Sequence, residues 1–293
     1  MRFSELKKSI SVVSGNMGFE EAARFFEDKI FSLNKKEFLP LVIETGTIPE
    51  QIEHDSSEEK LFAKIADIVL AKCFHELGMA AEVIKRRSNC ADVLIKSRYH
   101  SYTAVADAKA FRLSRTAKNQ KDFKVHSLSD WRGDSDFAIL VCPFFQYPRN
   151  RSQIYVQALK DEVLLFSWEH LAFLLKNNVC ETSRFSLAPL WGLSHTIASS
   201  FAIAEKEVIF WDRQETLLCK LVNVSFNSLQ KLLKSGRQIS VKRGNEEILY
   251  YQKKIDEINN YSRDEAIAEL LKAKKLEEKL AAIRSYISYL ENC

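Results

Sequence analysis

The sequence predicts an α/β fold: a core of mixed strands and helices, preceded and followed by helical regions. Strand-like segments alternate with helix-like segments over residues 57–178, which is the pattern of an α/β core. A continuous apolar run over 137–145 is what a strand buried on both faces looks like. Beyond about residue 205 the apolar residues fall near helical spacing. The expected organisation is an N-terminal helical region 1–56, a core 57–200 and a C-terminal helical region 201–293 that forms one compact unit with the core.

Taken in order, residues 19–33 and 35–46 read as short amphipathic helices, followed by a polar loop from Ile48 to Ser57. Residues 56–75 form a strong helix, with Leu61, Phe62, Ile65, Ile68, Val69 and Cys73 on roughly one face. Ser56 followed by Glu59 fits a capping box. Residues 91–95 and 102–111 read as strands, and 114–132 as one long basic helix. After the 137–145 strand come a helix at 152–161, a buried strand at 163–168 and a helix at 169–176. The stretch 246–290 is rich in Lys, Glu, Ile, Leu and Ala, and Ser262 with Glu265 marks a helix start within it. Its charge runs read as solvated helix faces.

Composition removes several classes of function. A net charge of +4 is no bulk polycation, so a nucleic-acid surface must be a local patch. No stretch approaches the roughly 20 apolar residues of a membrane span, and the N-terminus does not read as a signal peptide. The six cysteines are scattered with no CxxC pair, which argues against zinc and a disulfide framework and for a cytoplasmic setting. The six histidines are dispersed, and no GxSxG, Walker A or GxGxxG pattern is present.

The informative constellation is Asp92 followed by Asp107-Ala108-Lys109. Two residues apart on a strand, Asp107 and Lys109 project from one face, and an adjacent strand can bring Asp92 to the same spot. Two carboxylates and an ammonium at a sheet edge suit Mg²⁺, a hard cation that takes oxygen ligands, polarises a phosphate and lowers the pKa of bound water. The lysine can orient that water and offset charge in the transition state. A D-x-K motif alone is a weak signal. Its setting strengthens it, because Asp107 lies in an otherwise small and apolar strand where an unpartnered charge is costly. A structural Asp–Lys pair is the alternative, and it leaves Asp92 unexplained. Glu59, on the helix before the first of these strands, is a candidate further carboxylate as well as a cap.

Directly after this strand, residues 112–124 carry Arg112, Arg115, Lys118, Lys121 and Lys124. Such cations neutralise phosphates and fix register on DNA. Asn119 and Gln120 suit bidentate contact with adenine, and Arg115, Lys118 or Lys121 suit guanine. The alternative is a solvated helix face with Lys118 and Asp122 as an i, i+4 pair.

Several runs then become recognisable: EEKLFAKIADIVLAKCF, AVADAKAFRLSRTAKNQKDFKVHSLSDWR, PFFQYP, VLLFSWEHLAFLL and SRDEAIAELL. Together they resemble the HindIII family of type II restriction endonucleases. The resemblance implies a PD-(D/E)xK restriction-endonuclease-like core, a mixed sheet flanked by helices. It implies a Mg²⁺-dependent homodimer that cuts double-stranded DNA at the palindrome AAGCTT after the first A, leaving 5′ overhangs and 5′-phosphates. A cognate DNA methyltransferase is then a functional partner rather than part of a stable complex. Asp107 and Lys109 match the family's catalytic pair and Asp92 its other metal-binding aspartate, with the Ala108 carbonyl as a further ligand. Asp122 matches an acidic residue linked with activity, and Asn119 and its neighbours match the base-reading segment. No role passes to a carboxylate between Glu82 and Asp92, because none is present there. Beside this reading stand a structure-specific repair or recombination nuclease on the same core, a non-catalytic DNA-binding protein and a helical interaction protein.

Overall fold

The computed structural model describes residues 3–85, 90–114, 120–148, 152–200 and 206–291. Four helices come first: α1 (Phe3–Asn16), α2 (Phe19–Phe31), α3 (Lys35–Glu44) and α4 (Ser57–Glu76). Strands β1 (Ala80–Val83), β2 (Val93–Lys96) and β3 (Thr103–Ala108) follow, then α5 (Gln120–Phe123), α6 (Val125–Arg132), β4 (Phe137–Cys142), α7 (Gln153–Lys160), β5 (Val163–Ser167) and α8 (Trp168–Lys176). The remainder is helical: α9 (Ala188–Trp191), α10 (Leu193–Ser200), α11 (Lys206–Val222), α12 (Phe226–Asn259), α13 (Arg263–Ala273) and α14 (Leu276–Glu291). Two compact units divide the chain, Met1–Arg243 and Gly244–Cys293.

The sheet runs β1-β2-β3-β4-β5 in chain order. Its first three strands are antiparallel to their neighbours, whereas β3, β4 and β5 run parallel. The expected mixed sheet is therefore present, and β3 is the strand at which it changes sense. Every residue of β5 is buried, and so is all of β4 but its first residue, which is why these strands read as unbroken apolar runs. Helix α4 lies along β1, β2 and β3 and also meets α1, α2, α3 and α8, while α6, α7 and α10 gather on β3, β4 and β5. Sandwiched in this way, α4 is buried on most sides, with even Asp67 and Lys72 out of solvent.

Local chemistry fixes the element ends. At the start of α4, Ser56 Oγ accepts the Glu59 amide at 3.1 Å. The return half of the expected box goes one residue further out, from the Asp55 amide to Glu59 Oε2 at 2.7 Å. The Ser262–Glu265 capping box at α13 is complete in both directions. Between β2 and β3, Ser97 Oγ accepts the amides of Tyr99 and His100 at 3.2 and 2.9 Å and donates to buried Glu181 at 2.6 Å. That turn closes on the Ser97 amide to Tyr102 carbonyl bond of 3.1 Å and so sets the register of the two strands.

Two expectations need correction, and two elements come in addition. The basic segment 114–132 is not one helix: among the described residues it holds α5 and α6, separated by Lys124 at φ 49°. Phe123 and Val125 on either side are buried, with Phe123 stacked 5.6 Å from Tyr147, so packing holds a left-handed residue that no glycine announces. The 137–145 strand stops at Cys142, because Pro143 has no N–H for the ladder. The turn beyond it is tied down by the Phe144 amide donating to Glu169 at 2.9 Å. Helix α1 and the edge strand β1 are elements that the sequence pattern did not announce; β1 is four half-covered residues beginning with two alanines.

Candidate active site

Strands β2 and β3 pair so that Val93 faces Ala106 and Leu94 faces Val105. Asp92 lies one residue before β2, and its amide donates to the Ala106 carbonyl at 3.0 Å, a slip of one residue from the ladder register. The Asp92 carboxyl hydrogen-bonds that of Asp107, so two carboxylates meet at this end of the pair. Asp92 Oδ2 accepts the Ala108 amide at 2.9 Å. Lys109 continues the parallel ladder, its amide donating to the Val141 carbonyl at 2.7 Å, while its own carbonyl accepts Trp168 Nε1 at 3.1 Å. With its backbone pinned on both sides, Lys109 places Nζ 2.5 Å from Asp107 Oδ2. The structure thus brings together Asp92, Asp107 and Lys109, as expected. Asp107 is only 2% exposed, whereas Asp92 and residues 108–110 are half-buried, so this end of β3 reaches the surface.

A third carboxylate joins them from α4. Asp67 is buried, and its charge acts on both Asp92 and Asp107. Burial pushes its carboxyl up to about 7, with the Lys64 ammonium at 3.3 Å pulling the other way and Asp107 adding to the rise. Asp92 is pushed up to about 10, first by burial and then by its hydrogen bond with Asp107 and the charges of Asp67 and Asp107. Burial acts to lower the Lys109 pKa, but Asp107, Asp92 and Asp67 outweigh it and raise it above the ordinary lysine value. Lys64 Nζ also donates to the Ile84 carbonyl at 3.2 Å and so braces Asp67 against the chain beyond β1.

Such crowding favours a bound cation. Three acidic groups in a poorly solvated space hold their charges only when positive charge is supplied. Buried Asp107 meets the Lys109 ammonium through Oδ2 at 2.5 Å, so its carboxylate already faces positive charge across the site. Carboxylate oxygens are the donors that Mg²⁺ or Ca²⁺ takes, so the residues present fit a hard divalent ion.

Glu59 belongs elsewhere. Eight residues before Asp67, it lies about 12 Å up the helix axis from it. Its Oε1 accepts Arg112 Nη2 at 2.7 Å and Nε at 3.2 Å. It joins His54 and Asp55 in a group whose ligand atoms lie within 4.8 Å of one another, but the His54 and Asp55 side chains are 78% and 84% exposed. An exposed cluster whose carboxylate already holds an arginine is a weaker metal site than the crowded, buried one on the strands. In the structure Glu59 caps α4 and holds Arg112, apart from the strand carboxylates it was expected to join.

Arg112, expected on DNA phosphates, is likewise turned inward: besides Glu59 it donates to the Pro49 carbonyl at 3.1 Å. Ser114 adds to the same anchor through Glu50, at 2.9 Å from its amide and 2.8 Å from its hydroxyl. Beyond this anchor, Arg115, Lys118 and Asn119 lie outside the described residues, as does the side chain of Gln120. Lys121 and Lys124 are exposed and border one open groove with His126 and Gln157. Asp122 is half-buried on α5.

Asp67 is the residue that sequence reasoning missed. The available signal was a lone carboxylate in the middle of Ile65-Ala66-Asp67-Ile68-Val69-Leu70-Ala71, every other member of which is apolar and buried.

With this geometry in hand, the comparisons with known proteins are specific. A family model described as HindIII restriction endonuclease matches residues 5–287. The type II restriction enzyme HindIII of Haemophilus influenzae (strain ATCC 51907 / DSM 11121 / KW20 / Rd) is 40% identical over 294 residues, covering 100% of this chain and 98% of that protein. The match spans the strands that carry the acidic cluster, and the chain belongs to the HindIII restriction endonuclease family.

Proposed function

We propose that this type II restriction enzyme cleaves both strands of duplex DNA at AAGCTT, after the first A, in a Mg²⁺-dependent reaction that leaves 5′ overhangs and 5′-phosphates. The observation that carries the proposal is the meeting of the Asp92 and Asp107 carboxyls, which sets two acidic groups against the Lys109 ammonium at an open strand end. Asp92 and Asp107 would hold the ion, with Asp67 as a third acidic group and the Ala108 carbonyl as a further oxygen. Bound there, Mg²⁺ supplies Lewis-acid polarisation of the phosphate and a more acidic water.

The chain's own residues do the rest. Asp107 holds Lys109 as an ammonium next to the reacting phosphate, where it orients the attacking water and stabilises charge on the non-bridging oxygens. Asp92, fixed by the Ala108 amide, keeps the two carboxylates from swinging apart. The Arg112–Glu59 and Ser114–Glu50 anchors fasten the chain where the basic segment leaves β3. From there Arg115, Lys118, Asn119, Gln120, Lys121 and Lys124 would meet bases and phosphates, with Asp122 among them.

The chain acts as a homodimer on a palindromic site, each copy cutting one strand. No described helix is long and apolar enough to cross a membrane, in keeping with work in the cytoplasm beside a methyltransferase that protects host sites. Digesting a DNA of known sequence with the purified protein and Mg²⁺, then sequencing the ends, tests the proposal. Discrete fragments with AGCT overhangs are expected; a smear, or other termini, would refute the target.

A further inference from the structure

The second compact unit, Gly244–Cys293, exposes apolar side chains in regular rows along its helices. On the part of α12 in this unit, Ile248, Tyr251, Ile255 and Ile258 recur at spacings of three, four and three residues, and each is 44–56% exposed. On α14, Leu276, Leu280, Ile283 and Ile287 recur at four, three and four, each 39–57% exposed. Alternating steps of three and four place these residues on one seam of a helix, the pattern with which helices pack into coiled coils and bundles. α13 adds Ile267 and Leu270, also about half exposed. By contrast, the helices of the first unit bury their apolar stripes, as Leu6, Ile10 and Val13 of α1 do.

The area indicates what occupies this surface. The eight seam residues, each about half exposed, together offer on the order of several hundred Å² of apolar surface. That is on the scale of a monomer's largest patch and a sizeable part of the ~800 Å² per partner of a stable dimer. Charge excludes two other occupants. Residues 244–293 hold eight basic and ten acidic residues, a balance of −2, which suits neither a DNA duplex nor an anionic membrane. Mixed charges beside the seam, such as Glu277, Lys279 and Arg284 on α14, suit a surface that pairs with a copy of itself. Each chain also carries one Asp92–Asp107–Lys109 site, and a double-strand cut takes two.

We infer that the α12 and α14 seams of residues 244–293 are the dimerisation surface, and that their partner is a second copy of this chain. The inference rests on the homodimer reading above and names the surface that makes it. Sedimentation velocity on the full-length protein, with and without Ile255→Glu and Ile283→Glu together, tests it. Both positions are exposed and Glu is a good helix former, so circular dichroism should show unchanged helix content. The unsubstituted protein is expected to sediment as a dimer, and the variant to dissociate at least about 30-fold more readily, since two buried charges at such a seam remove more than 2 kcal/mol of contact. A dimer of unchanged affinity in the variant would overturn the assigned surface and leave the homodimer reading standing. A monomer for the unsubstituted protein at every concentration would overturn both and hand the surface to another protein.

Discussion

Asp92 and Asp107 join their carboxyls by a hydrogen bond just beyond the Val93–Ala106 pair, and the Asp92 carboxylate folds back to accept the amide of Ala108 at 2.9 Å. The acidic pair is therefore not two side chains that happen to be near. It follows from a register set by the Ser97 turn at one end and closed by a side-chain bond at the other. Because that register is shared with the core, the site is as rigid as the sheet that carries it.

Asp67 and Glu59 lie eight residues apart on one helix, and the proposed reading gives the first to the ion and the second to Arg112. Asp67→Asn is expected to lower kcat and Mg²⁺ affinity about 10- to 100-fold, the usual effect of altering a group that tunes a metal site. Glu59→Gln should leave both nearly unchanged and cost about 1–3 kcal/mol of stability through the weakened Arg112 bond. Steady-state cleavage across a Mg²⁺ titration, with denaturant unfolding, checks both; the reverse pattern would assign the helix carboxylate to Glu59.

Gly46 sits under the active strand. A Cβ there would lie 2.5 Å from Pro143 Cγ and 2.7 Å from Trp168 Cδ1, the same indole that donates to the Lys109 carbonyl. Gly46→Ala should destabilise the fold by about 1–3 kcal/mol through overpacking and lower kcat by displacing Lys109. Thermal unfolding and kcat measured on one preparation check this; a variant unchanged in both would mean the contact is slack.

His170 predicts an acid limb of stability. It is fully buried, and burial lowers its pKa from 6.5 to about 3. Gln214 Nε2 lies 3.1 Å from its Nδ1, which leaves the ring neutral in the fold. A depressed histidine pKa stabilises the fold above pH 6.5, where both states are neutral at this position, and that contribution is lost as pH falls through the window from 6.5 to about 3. Glu169 beside it, raised by burial to about 6, acts with the opposite slope between pH 4.5 and about 6. Urea unfolding from pH 7 to pH 4 should show a shallower loss of stability in His170→Gln than in the parent, by a few kcal/mol at the acid end. Parallel curves would mean that the ring is protonated or solvated in the fold.

Much of this site was legible in the sequence, for a physical reason. Strands buried on both faces must be apolar, so Asp107 inside a run of alanines and valine stands out, and an Asp–Lys step of two puts both on one face. What escaped was set by tertiary packing. Asp67 is hidden because α4 is buried nearly all round, which blurs the apolar face against which a carboxylate would be noticed. The break at Lys124 has no glycine or proline to announce it and is held by Phe123 against Tyr147. Arg112 reads as a phosphate contact by composition; only the fold shows Glu59 and the Pro49 carbonyl waiting for it.

The most direct measurement replaces Asp107 by Asn, which keeps shape and removes the charge that faces Asp92 and holds Lys109. Cleavage in Mg²⁺ and duplex binding in Ca²⁺ are then read on the same AAGCTT oligonucleotide. Expected is a loss of cleavage of roughly 10³-fold or more, in line with removing a principal electrostatic group of a catalytic site, with duplex affinity retained. Cutting at an undiminished rate would show that the ion, and the chemistry, lie somewhere other than between Asp92 and Asp107.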